Sequence, residues 1–138
     1  MTGVGYALFC DEIRQEINGK YIVLGMFTGD MLISRFPTTQ KLSALVYLSE
    51  VVAGDHDFEF VSSEGVSFGK LSLDMQPEPN VKPPFFIPLP AAVLTLSQST
   101  EILLRYKAPN AEDWATLGEI GISLSPGPIP NLFGSEAL

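Results

Sequence analysis

Residues 42–52 read Leu-Ser-Ala-Leu-Val-Tyr-Leu-Ser-Glu-Val-Val, the most hydrophobic stretch of the chain. Leu42, Ala44, Val46 and Leu48 alternate onto one face, and Leu45 and Tyr47 onto the other. That pattern predicts a strand lying mid-sheet, apolar on both sides. To either side of it, short apolar segments are cut about every 8 to 14 residues by Gly, Pro, Asn or Asp, a spacing that predicts an all-β domain.

Upstream, Gly5 to Ile13 alternates Tyr6, Leu8 and Cys10 against Ala7, Phe9 and Asp11, with both faces largely apolar at its start. Tyr21 to Phe27 does the same, with Tyr21 and Val23 opposed to Ile22, Leu24 and Met26. Asn18-Gly19 between them suits a type I′ hairpin turn. The rival is two helical turns over Asp11 to Asn18, with Ile13 and Ile17 four apart and Gly19 closing them. The hairpin is the preferred reading.

Downstream, Asp57 to Ser62 places Phe58 and Phe60 inward and Glu59 outward. Val66 and Phe68 continue that register, but the later apolar residues Leu71, Leu73 and Met75 have slipped by one, which predicts a β-bulge near Gly69-Lys70. Six prolines between Gln76 and Pro90, at 77, 79, 83, 84, 88 and 90, predict a long edge connection with Phe85, Phe86 and Ile87 clamped onto the end of the core. Ala92 to Leu96 is a further strand. Glu101 to Lys107 follows, with Ile102, Leu104 and Tyr106 inward and Arg105 and Lys107 outward. A turn at Pro109-Asn110 leads into the last strand, from Trp114 to Leu124.

Seven to nine strands in one domain, residues 1–124, fit a two-sheet immunoglobulin-like β-sandwich better than a closed barrel. Residues 125–138 carry three prolines and no period, and read as an extended C-terminal tail. Ile129, Leu132 and Phe133 are its candidate anchors against this domain or a neighbouring subunit.

Composition narrows the function classes. With 46% hydrophobic and 17% charged residues the chain is too apolar for disorder, despite a net charge of −8. Its eight cations are scattered singly, so no basic stripe offers itself to nucleic acid or to an anionic membrane surface. No apolar run is long enough to span a bilayer as a helix, and no basic, apolar leader opens the sequence. The single Cys10 cannot form an internal disulfide, which favours a cytoplasmic setting, or a virion assembled there.

No catalytic signature emerges. Cys10 lies among Asp11, Glu12 and Glu16, and acidic neighbours suppress a thiolate; it reads as a buried structural residue. His56, the only histidine, reads as a turn residue between Asp55 and Asp57. One Cys and one His cannot build a zinc site. Carboxylates at Asp11, Glu12, Asp30, Asp55 and Asp57 would make a calcium site only if the fold brought them to one end of the sandwich. Trp114 is read as core or rim rather than a sugar platform.

The run Tyr6-Ala7-Leu8-Phe9-Cys10-Asp11-Glu12-Ile13-Arg14, with Gly19-Lys20, Leu24-Gly25-Met26-Phe27 and Gly29-Asp30, resembles the start of a family of small bacterial and phage-borne proteins. The likeness extends more loosely to Phe36-Pro37 and Pro88-Leu89-Pro90. It implies a single immunoglobulin-like sandwich and no particular activity or cofactor.

The expectation is a non-enzymatic module for protein–protein interaction or assembly, a virion or phage-related structural role included: its partners are another protein or a second copy, in the cytoplasm or in a virion. The alternative is a calcium- or glycan-binding sandwich that uses loops at one end.

Overall fold

The computed structural model describes residues 5–125. They form nine strands and no helix: β1 (Gly5–Gln15), β2 (Tyr21–Met26), β3 (Met31–Ile33), β4 (Thr38–Leu48), β5 (Gly54–Ser62), β6 (Ser67–Met75), β7 (Phe85–Leu96), β8 (Thr100–Lys107) and β9 (Ala115–Leu124). One sheet has the order β2-β1-β4-β7 and the other β3-β9-β8-β5-β6. The connection from β4 to β5 changes sheets, as do those from β6 to β7 and from β7 to β8. With β4 beside β7, β5 beside β8 and β8 beside β9, this is the connectivity of an immunoglobulin-like β-sandwich. All pairings are antiparallel except β3 with β9. The expected tail anchors Ile129, Leu132 and Phe133 lie outside the described residues.

The hydrophobic stretch at 42–52 does lie mid-sheet, bonded by β1 on one side and β7 on the other, although its strand starts earlier and ends at Leu48. Its inward residues Leu42, Ala44, Val46 and Leu48 are fully buried and meet Phe58, Leu94, Ile102, Leu104 and Ile122 in the core. The β1–β2 hairpin forms and the helical rival does not. Its turn differs from the expected type I′, which would need positive φ at both Asn18 and Gly19. Only Gly19 is positive, at 86°. The Gly19 N–H donates to the Glu16 carbonyl at 3.0 Å and the Glu16 N–H to the Lys20 carbonyl at 2.7 Å, so Ile17, Asn18 and Gly19 form a three-residue loop.

The bulge in β6 occurs where the parity slipped. Phe60 pairs with Gly69 and Val61 with Ser67, leaving Phe68 as the extra residue. Gly69 takes φ 150°, and Phe68, Leu71, Leu73 and Met75 all reach the core. Val66 does not: it precedes the strand and is exposed.

The reading of the proline-rich segment is corrected. Residues 85–90 are strand rather than connection, since β7 starts at Phe85 and carries Pro88 and Pro90 within it. β7 is an edge strand, where an absent N–H pointing away from the sheet breaks no ladder, and the register shifts at Pro90-Ala91. Phe85 and Ile87 do pack on the core, while Phe86 faces outward and is exposed. Glu59 points to the outer face as expected, yet it is only 6% exposed, because the side chains beside it cover it.

Truncating an inward residue of β4 removes fully buried contacts. Leu48→Ala should lower unfolding free energy by about 2–5 kcal/mol, and Val93→Ala, on the exposed side of β7, by less than about 1 kcal/mol, both read by urea denaturation.

Candidate functional site

The side chains that point away from the core on β2-β1-β4-β7 are unusual for a solvent-facing sheet. Register places Tyr6 beside Tyr47 and Tyr47 beside Phe86, then Leu8 beside Leu45 and Leu45 beside Pro88. Cys10 lies between Met26 and Ser43, and Glu12 and Arg14 lie opposite Leu24 and Ile22. The rings of Tyr6 and Tyr47 stack at 4.7 Å, and Tyr47 meets Phe86 edge-on at 5.5 Å. Three strands thereby present one continuous aromatic row.

Of the thirteen large hydrophobic side chains exposed among the described residues, seven belong to this face: Tyr6, Leu8, Ile22, Leu24, Met26, Phe86 and Val93. Met26 is 52% exposed, Tyr6 47% and Phe86 44%. A free aromatic side chain presents roughly 150–250 Å², so the seven together offer on the order of 500 Å². A patch of that extent is at the upper end of what a typical monomer shows, about 300–600 Å². Its charges are few: Glu12 and Arg14 bond each other at 2.6 Å, and Lys41 lies beside Val93.

Cys10 forms part of the floor of this face and is fully buried. Burial, and then the charge of Asp11, push its thiol up, so it has little thiolate for nucleophilic work. His56 belongs to the other sheet, on its core side, so the two residues do not meet.

His56 is not in a turn. It is an inward residue of β5, 1% exposed. Its Nε2 lies 2.8 Å from the Val52 carbonyl, which can only accept, so Nε2 carries the proton. Nδ1 then accepts from the Tyr106 hydroxyl at 2.6 Å. Both ring nitrogens are engaged in holding the link between β4 and β5 to β8. Burial, followed by the charge of Glu50, pushes the Tyr106 hydroxyl up to about 12.

On the outer face of the five-stranded sheet, Lys70, Glu59 and Arg105 form a row across β6, β5 and β8. Glu59 accepts a charge-assisted bond from Arg105, and this bond first, with help from Ser67, holds its carboxyl below the usual carboxylate range. Trp114 covers the row, with the Arg105 guanidinium 5.0 Å and the Lys70 ammonium 5.6 Å from its ring centre. That ring is occupied by protein cations, as a rim residue rather than an open sugar platform.

The five carboxylates nominated for calcium are not brought together. Asp30 abuts Gly121, which pairs with Glu101, whereas Asp57 pairs with Lys107 at the other end of β8. Six residues along a strand is roughly 20 Å. An open trough of about 750 Å³ beside β1 and β9 is bordered by Asp30, Glu64, Glu101 and Glu119, and none of its lining residues is His, Cys or Lys. Glu64 is already held there by Ser63 at 2.8 Å and Thr100 at 2.5 Å. No family model matches the chain, and no curated protein matches it.

Both polar clusters give stability a pH signature. The folded pKa of Glu59 is depressed, so its contribution is present above the unfolded carboxylate value of 4.5 and is lost as pH falls through the folded value. Tyr106 is raised, so its contribution holds below pH 10 and is lost as pH rises toward about 12. Glu59→Gln should cost about 1–2 kcal/mol at pH 7, with the gap to the parent closing on acidification below 4.5. Tyr106→Phe, which strands His56 Nδ1, should cost about 1–3 kcal/mol and should flatten the alkaline fall. Thermal denaturation across pH 3 to 12 checks both.

Proposed function

We propose that this chain is a non-enzymatic assembly module whose outer β2-β1-β4-β7 face docks a second copy of the same chain. The observation that carries the reading is the aromatic row Tyr6-Tyr47-Phe86, continued by Leu8, Leu24 and Met26 and left in contact with solvent. With its rim of Glu12, Arg14, Lys41, Thr39 and Thr95, the face approaches the roughly 800 Å² per partner of a standard interface. Tyr, Phe and Met are enriched, and charge is depleted, at the centres of such interfaces.

Charge distribution supports a second copy as the occupant. The protein carries −8 overall, but this face holds one carboxylate against two cations. Two copies meeting here keep most of their acidic residues apart, so self-repulsion is small where the contact forms. A two-fold arrangement uses the same patch twice and closes on itself. A structural part in a virion and an adaptor in the cytoplasm are both settings for such a module, and the paired Arg14 and single Lys41 give nucleic acid little to hold.

Sedimentation equilibrium from 1 to 100 µM, a range of about two decades chosen around a micromolar association, should show a monomer–dimer equilibrium. Met26→Lys and Phe86→Glu should each weaken it by about tenfold or more while shifting thermal stability little, since both side chains are half exposed. Dimerisation unchanged in both variants, or a parent that stays monomeric throughout, overturns the reading.

A further inference from the structure

The outer face of β2-β1-β4-β7 has relief. At the level of Tyr47 it rises in the aromatic row Tyr6-Tyr47-Phe86, whose rings lean on one another. Two alternations back along β4, at Ser43, it sinks. There Cys10 and Ser43 are small and lie beneath their neighbours, 0% and 5% exposed. Leu42 pairs with Ala92 and Ala44 with Leu89, so Ser43 stands opposite two residues of β7, Pro90 and Ala91, neither of which has a long side chain to fill the place.

The result is a hollow of about 480 Å³ bordered by Glu12, Lys41, Ser43, Pro88, Pro90 and Ala91. Ridge and hollow lie four residues apart along β4, roughly 13 Å. Leu8, Leu45 and Pro88 form the level midway between them.

Two copies that meet face to face about a two-fold axis can lie in two ways. An axis along the strands sets each level against itself, ridge on ridge and hollow on hollow, and leaves both hollows unfilled within the contact. An axis across the strands at the Leu45 level keeps β4 over β4 and β7 over β7, and sets the Tyr47 level of each copy over the Ser43 level of the other. Each contact then occurs twice. Interface centres pack as densely as protein interiors, which favours the arrangement that fills the hollows. That arrangement also brings Lys41, at the border of the hollow, to the face of the aromatic ring that enters it.

Resting on the reading of this face as a self-docking surface, we propose that the two-fold axis of the dimer crosses the strands at Leu8, Leu45 and Pro88. Tyr47 of each copy enters the hollow over the other copy's Ser43, and Phe86 covers the other copy's Pro90 and Ala91. Leu8 meets its own counterpart on the axis.

Sedimentation equilibrium of two full-length variants, alone and mixed in equal amounts, tests the proposal. Ser43→Phe fills the hollow in advance and Tyr47→Ala removes what enters it, so each alone should associate at least about tenfold more weakly than the parent. The mixture should recover most of the parent's association, because in the mixed dimer the added ring enters the vacated space and the other hollow keeps its native occupant. A parent that dimerises, with no recovery in the mixture, overturns this arrangement and leaves the reading of the face standing; a parent monomeric at every concentration overturns both. Half-filtered NOE spectra of mixed labelled and unlabelled parent give a readout free of substitutions. Contacts between copies from the Tyr47 ring to Ser43 and Lys41 are expected, and contacts between copies from Tyr47 to Tyr6 overturn the proposal.

Discussion

The burial of β4 between two strands and beneath a second sheet is the constraint on which the rest of this structure depends. Leu42, Ala44, Val46 and Leu48 have no contact with water, and the residues facing them come from β5, β7, β8 and β9. Because side chains alternate strictly, fixing those four inward fixes Ser43, Leu45 and Tyr47 outward, and the registers with β1 and β7 then fix Tyr6, Leu8, Phe86 and Pro88 beside them. The aromatic outer face is thus a geometrical consequence of the core. A one-residue slip would exchange the two faces, and since both are apolar, polarity alone would not forbid it. The full burial and fit of the inner set decide the register.

The two outer faces of the sandwich follow opposite strategies. On the five-stranded sheet, the Glu59 carboxylate is buried by Arg105, Lys70 and Trp114, and the two cations lie against the Trp114 ring, although the buried Arg105 Nε has no hydrogen-bond partner among the described residues. On the four-stranded sheet the aromatic groups stack only on each other and leave their outer surfaces to solvent. Polar chemistry elsewhere is equally committed: His56 and Tyr106 complete each other, and the Cys10 thiol is buried. Among the described residues, the outer face of the four-stranded sheet is left as apolar surface, and the proposed association rests on it.

Much of this was legible in the sequence. The parity slip at Gly69 located the bulge within a residue, because an inward face must be continuous for a strand to stay on a core. The period-two pattern of Tyr21 to Phe27, apolar on both sides, already carried the sign of an uncovered face, but a single sequence does not say whether a second apolar side is covered or open. His56 was misplaced because flanking aspartates look like a turn, whereas its two ring bonds come from Val52 and from Tyr106, fifty residues away. Pro88 and Pro90 hid a strand, since only the sheet order reveals that the strand is at an edge. Glu59 was correctly aimed, but its burial depends on Lys70 of β6, Arg105 of β8 and Trp114 just ahead of β9.

The most direct test of the central claim is hydroxyl-radical footprinting of Tyr6, Met26 and Phe86 at low and high protein concentration, with the exposed Val66 and Val81 as references. The account predicts that modification of the three falls several-fold as concentration rises through the association range, while the references do not change. Equal modification of Tyr6, Met26 and Phe86 at every concentration would contradict it.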